Sequence, residues 1–296
     1  MKKSLIGLVL LQASLCFPVE FGAAGRAWAE TSVPPKQITP EDRAAVVRLI
    51  DTMQIDQVID VLRVEGLDYG ASIEDEMFPG GGGAAWQATV AGIYNPDTMK
   101  AAFADTLIAE LQGKDAELAQ MQAFFGSELG QRVLTLELEA RRSLLDDETE
   151  AAAELAWSDL AAEGGPRVDL LRRFAEVNDL VDSNVMGALN ANLAFYSGMA
   201  GTGAFADEMS QEQILSDVWA SEPDIRQQTE DWVYPYLNLG YSSLSDAELQ
   251  AYVDFSASPA GVLLNAALFA AFDAVFVPVS QALGAAAAVQ MKGQDI

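Results

Sequence analysis

No histidine occurs anywhere in the 296 residues, and the single cysteine, Cys16, stands close to the N-terminus. These two absences remove Ser-His-Asp and Cys-His nucleophile systems, zinc sites built on His or Cys, and di-iron bundles that need Glu-x-x-His. Intrachain disulfides go with them, because a disulfide takes two thiols. Positive charge is scarce as well: 17 Lys and Arg stand against 44 Asp and Glu, a formal net charge of −27. Such a field repels phosphates, which argues against nucleic acid and against adsorption to anionic lipid, and it admits basic partners or cations. Alternating apolar stretches joined by hairpin turns are also missing, so a sheet has no material to be built from and the predicted fold class is all-α. Half of the residues are hydrophobic, enough to form a core.

The chain opens with Lys2 and Lys3, followed by an apolar stretch from Leu5 to Leu15 and then by Ala27, Trp28 and Ala29. A positive n-region, an apolar h-region and small residues at the two positions that a signal peptidase reads predict a leader over residues 1–29, cut between Ala29 and Glu30. The apolar run is shorter than the roughly 20 residues that span a bilayer. Bulky Leu15 before Cys16 argues against a lipid-anchored cysteine. Export to the periplasm is the expectation, and loss of the leader takes the net charge from −27 to −29.

Residues 30–38 carry Pro34 and Pro35 and read as an extended tail. Thr39, Pro40, Glu41 and Asp42 then give a capping hydroxyl, a proline at the first helical position and an acid at the third. Val46, Val47, Ile50 and Met53 follow at helical spacing, and Val58, Ile59 and Leu62 continue the apolar face. Phe78, Pro79 and Gly80 to Gly83 make the sharpest break. No strand precedes these glycines and no Lys-Ser/Thr follows them, so a hinge or helix crossing is expected there and not a phosphate loop. Asn95-Pro96-Asp97 starts a helix with Met99, Phe103, Leu107 and Leu111 on one face. Leu129, Val133, Leu136, Ala140 and Leu144 form another stripe, and the acids from Asp146 open a helix reaching Ala162. Gly164, Gly165 and Pro166 punctuate the middle. A long pattern from Arg167 to Tyr196 then stops in the glycine-rich segment that begins at Gly198. The reading is a helical array of two halves, 39–163 and 164–296.

The halves share a motif. Asp115, Ala116, Glu117 and Leu118 recur as Asp246, Ala247, Glu248 and Leu249, and at the same offset of 131 Phe124 matches Phe255, Ser127 matches Ser258 and Gly130 matches Gly261. Seven identities in sixteen residues predict an internal duplication. In each copy a serine caps the second helix of a hairpin, and a glycine one turn later lets a neighbouring helix approach. A leucine-bearing helix, Phe or Tyr, Ser-Pro or Ser-Glu, and Gly one turn on resembles the exported bacterial family known as domain of unknown function 2059. Leu249 to Leu264 carry the resemblance, and Leu118 to Leu134 carry it more weakly, with Glu128 where the pattern has proline. It implies a helical, usually periplasmic protein of no assigned activity, with no catalytic residues to transfer.

Carboxylates are the remaining chemistry. Two acids about 5 to 10 Å apart can cleave a glycosidic bond. Glu137 and Glu139 diverge on their helix, whereas Glu128 at a helix start is the better lone acid, so a carboxylate-only hydrolase of cell-wall glycan is one alternative. Glu74 to Glu76 and Asp146 to Glu148 lack the Asp/Asn alternation and glycine of a calcium loop, so no metal is expected. No cofactor motif is found, and no cofactor is expected. The apolar stretch from Val262 to Val289 contains Asp273 and Pro278, which argue against a membrane span. Its small residues Gly284 to Ala288 suit a buried or dimerising terminal helix, the latter giving a homodimer. The main expectation is a binding module of the cell envelope. It would hold a protein, peptide or apolar ligand between the halves, with Trp86, Trp219, Trp232 and Tyr234 as candidate lining. A structural domain without ligand is the third reading.

Overall fold

Thr39 accepts a hydrogen bond from the Asp42 backbone N–H, and the Asp42 carboxylate accepts from the Thr39 N–H, so α1 (Pro40–Thr52) begins with the expected capping box. The computed structural model describes residues 39–203 and 210–294. The leader, the Ala29–Glu30 cut and the extended tail 30–38 lie outside the described residues. Among the described residues every element is a helix, and the chain is all-α.

Two continuous patterns of the sequence are broken in space. The first splits into α1 and α2 (Ile55–Met77) at Gln54, which takes a left-handed φ of 58°. The second splits into α8 (Pro166–Val177) and α9 (Leu180–Gly201) at Asp179, with φ 48°. Neither position is glycine. Tertiary packing holds both in a backbone region that disfavours L side chains. The Gly80–Gly83 break has a local cause: the Glu74 carboxylate accepts from the backbone N–H of Gly82 at 3.0 Å and of Gly83 at 2.8 Å, capping α3 (Gly83–Ile93). Glu74 is therefore a helix cap and not free solvated charge.

After α4 (Pro96–Glu110) comes a hairpin of α5 (Asp115–Phe125) and α6 (Glu128–Ser143), and α7 (Asp147–Glu163) leads to the turn at Gly164 and Gly165, both at positive φ. Beyond α8 and α9 lie α10 (Gln211–Ala220), α11 (Glu222–Tyr241), α12 (Asp246–Ser256) and α13 (Pro259–Gln294). The hairpins α5–α6 and α12–α13 are built alike. Ser127 and Ser258 each accept from the N–H of Gly130 or Gly261 at 3.1 Å, and each donates to the carbonyl of Phe124 or Phe255 at 2.6 Å. A Cβ at Gly130 or Gly261 would stand 2.1 or 2.2 Å from those same carbonyls. Phe124 and Phe255 stack face to face, centroids 4.0 Å apart.

The halves interlock. α6 packs on α11 while α13 packs on α4 and α9, and one continuous core runs through both. α13 is long and apolar enough, by length and composition, to cross a membrane over Pro259–Gly293. Here Leu264, Phe272, Phe276 and Leu283 enter the core, and Asn190 of α9 donates to Asp273 at 3.5 Å. The helix runs unbroken through Pro278. Packing along both flanks outweighs the lost backbone bond of roughly 3 kcal/mol.

Candidate functional site

The face of α6 that turns inward carries Leu134, Glu137, Leu138 and Arg141, spaced by three and four residues, so an acid and a base share the phase of two leucines. A cavity of about 170 Å³ opens beside Glu137, between the hairpins. Its wall includes Phe125 and Leu134 of the first half, and Phe174, Tyr241, Tyr252, Phe255 and Phe272 of the second. A smaller cavity of about 60 Å³ shares Leu134, Glu137 and Tyr236 with it and is lined also by Arg141. Glu137 is the single acid lining either one.

Glu137 belongs to the first half, yet its carboxylate is held by the second. Tyr241 of α11 donates to Oε1 at 2.5 Å and Tyr252 of α12 donates to the same oxygen at 3.1 Å. Tyr236 donates to the Glu137 backbone carbonyl at 3.2 Å. The residue as a whole keeps partial exposure while its carboxyl group is enclosed. Enclosure disfavours the charged form and pushes the acid up to about 7, outweighing the two tyrosine bonds that favour the anion. Burial likewise raises Tyr236, Tyr241 and Tyr252, which stay neutral. Arg141, on Glu137's own helix, is already paired with Glu65 of α2, at 2.8 Å from Nε and 2.7 Å from Nη2.

A pH dependence follows. The folded acid titrates near 7 against 4.5 in the unfolded chain, so between these values the folded state retains a proton that the unfolded state has lost. Stability falls as pH rises through this window, by about 3 kcal/mol in all, and is flat above it. Glu137→Gln keeps the acceptor oxygen and cannot ionise. Calorimetry should find its Tm equal to wild type at about pH 4 and roughly 6 to 12 °C higher at pH 8. An equal Tm at pH 8 would show that the carboxyl is not strained by ionisation.

The four aromatics proposed from sequence are not brought together. Trp86 is fully buried between α2 and α3, donating from Nε1 to the Gly70 carbonyl at 2.7 Å. Trp219 is 52% exposed on α10. Trp232 stacks on Tyr236 at 4.8 Å, and Tyr234 stacks on Trp157 of α7 at 5.1 Å. None lines either cavity. Among the repeat positions, Gly261 does line the larger one, while Ser127, Gly130 and Ser258 shape the hairpins. Glu128 stands exposed at the first position of α6, away from both cavities, where a helix N-terminus favours negative charge. No group of three or more metal-binding side chains occurs among the described residues.

Fold and site together define an all-α protein assembled around an enclosed acid. Residues 97–157, running from α4 into α7, match the family model described as "Uncharacterized protein conserved in bacteria (DUF2059)". The matched stretch includes the window from Leu118 to Leu134 and Glu137, and it supports the resemblance read from the sequence. The second window, Leu249 to Leu264, lies outside it. No curated protein and no solved structure matches the chain.

Proposed function

We propose that this chain is an exported ligand-binding protein of the cell envelope, formed from two diverged copies of one six-helix unit that close on an apolar cavity. The observation that carries the binding role is the cavity of about 170 Å³ between the hairpins, walled by aromatic rings and containing one oriented carboxyl. Small-molecule sites have this character: mostly apolar walls with a few placed polar groups, set between elements that meet. Supporting the duplication, α1 to α6 and α8 to α13 follow one order. A kinked pair of 13 and 23 residues answers one of 12 and 22, and α5 and α12 have 11 residues each. The n-region, h-region and Ala27-x-Ala29 pattern support export to the periplasm. A carboxylate hydrolase draws no support from this geometry, because Glu137 faces tyrosines and Glu128 lies elsewhere.

Native mass spectrometry of the protein purified gently from the periplasm tests the reading. A small molecule that stays with the folded chain and leaves on denaturation is the expected result. In parallel, toluene at ten times its Kd should raise Tm by about 3 to 6 °C. A bare protein that no apolar compound stabilises would overturn the ligand-binding role.

A further inference from the structure

Among the residues that line the large cavity Glu137 is the only acid, and no Lys or Arg stands with it. Glu137 Oε1 is occupied by two tyrosine hydroxyls, each of which spends its only proton there. Among the described residues the carboxyl has no ion pair, and Arg141, which lines the smaller cavity, is committed to Glu65 through two bonds. Asn178 and Asn265 line the same cavity, where Asn178 Nδ2 donates to the Phe174 carbonyl at 2.9 Å and Asn265 Nδ2 donates to the Asn178 carbonyl at 2.7 Å. Each amide keeps a second N–H and its Oδ1, so these side chains can donate to a ligand as well as accept from it. The rest of the wall includes the rings of Phe125, Phe174, Tyr241, Tyr252, Phe255 and Phe272.

Resting on the ligand-binding reading above, we propose that the cavity takes a small organic ammonium ion with an apolar body, Glu137 serving as its counter-ion and the aromatic walls enclosing the body. An enclosed carboxylate is costly without a positive partner, and a ligand ammonium supplies one together with up to three donors. Aromatic faces attract the same cation through their quadrupoles, an attraction that strengthens when water is excluded. An anion would meet Glu137 with like charge, and the chain's net −27 concentrates cations near the surface. Size narrows the class further. A cavity of about 150 Å³ accepts benzene, so one of about 170 Å³ fits a single ring, or a branched chain of similar bulk, carrying an amine.

The experiment is calorimetric titration of the full protein, as purified, with benzylammonium, benzyl alcohol, toluene and benzoate at pH 7.5. Benzylammonium should bind tightest, benzoate should not bind, and Glu137→Gln should weaken benzylammonium by about 30-fold or more while moving toluene less than about threefold. A second readout needs no variant: benzylammonium affinity in the unmodified protein should rise about tenfold per pH unit from 5 to 7 and level off above. Toluene and benzyl alcohol binding as well as benzylammonium, or an affinity flat with pH, would overturn the ammonium assignment and leave the apolar ligand-binding reading standing. If none of the four binds, both fail.

Discussion

Gly284→Val is expected to leave no cooperatively folded protein at 37 °C. Where α9 crosses α13 the two backbones touch: a Cβ at Gly284 would stand 2.0 Å from the Phe195 carbonyl oxygen, and one at Gly198 would stand 2.1 Å from that of Gln281. Both obstacles are main chain, so no rotamer change relieves the clash and the helices must separate. α13 is also wedged against α4, and separation from α9 would strip contact from Phe272, Val275 and Phe276. Backbone-level overpacking belongs to the group of substitutions that cost more than about 4 kcal/mol, a large part of the stability of a domain. Gly92→Ala is the control, since a Cβ there meets nothing within 4 Å on an exposed helical turn. Thermal melts followed by circular dichroism should show Gly92→Ala unchanged or slightly raised and Gly284→Val without a transition. A native-like melt for Gly284→Val would mean that the crossing is looser than the structure places it.

Glu65→Gln should destabilise by about 3 to 5 kcal/mol, because it leaves a buried guanidinium without its charge partner. Arg141 is 3% exposed, with its carbon 5.9 Å from the centre of the Trp232 ring, and its Nη1 has no hydrogen-bond partner among the described residues. Glu65 thus supplies the neutralising charge for a cation that water barely reaches. Replacing both members, Glu65→Leu with Arg141→Met, should recover most of the loss, since an apolar pair of similar volume carries no desolvation cost. Urea unfolding of the single and double variants decides the matter. A double variant no better than Glu65→Gln would show that the pair is needed for its shape and not for its charge.

Helix starts were legible because capping is local chemistry. Thr39, Asn95 and Asp146 each bond the N–H three residues on, as their sequence context suggests. The breaks at Gln54 and Asp179 were not legible: no glycine or proline marks them, and only the arrangement of distant helices requires a left-handed residue there. The site was missed for a related reason. Trp86, Trp232 and Tyr234 were singled out as aromatics, but ring identity reports a tendency to bury and says nothing about which rings surround a void. Glu137 was set aside because it diverges from Glu139, which is correct, since Glu139 is exposed. The usable signal was phase: Glu137 and Arg141 fall on the apolar side of α6 with Leu134 and Leu138, where a charge calls for partners from elsewhere in the chain.

The order in which the chain is made meets a constraint in α13. Its residues cover the flanks of α2, α3, α4, α5 and α9, yet they are the last to be synthesised. Until α13 emerges, both halves carry an uncovered apolar seam, and no shorter length of chain can close the core. Maturation of the fold therefore waits on the emergence of α13 and not on the pace at which the earlier helices form, and a nascent chain paused anywhere before Pro259 remains an open substrate for whatever escorts it.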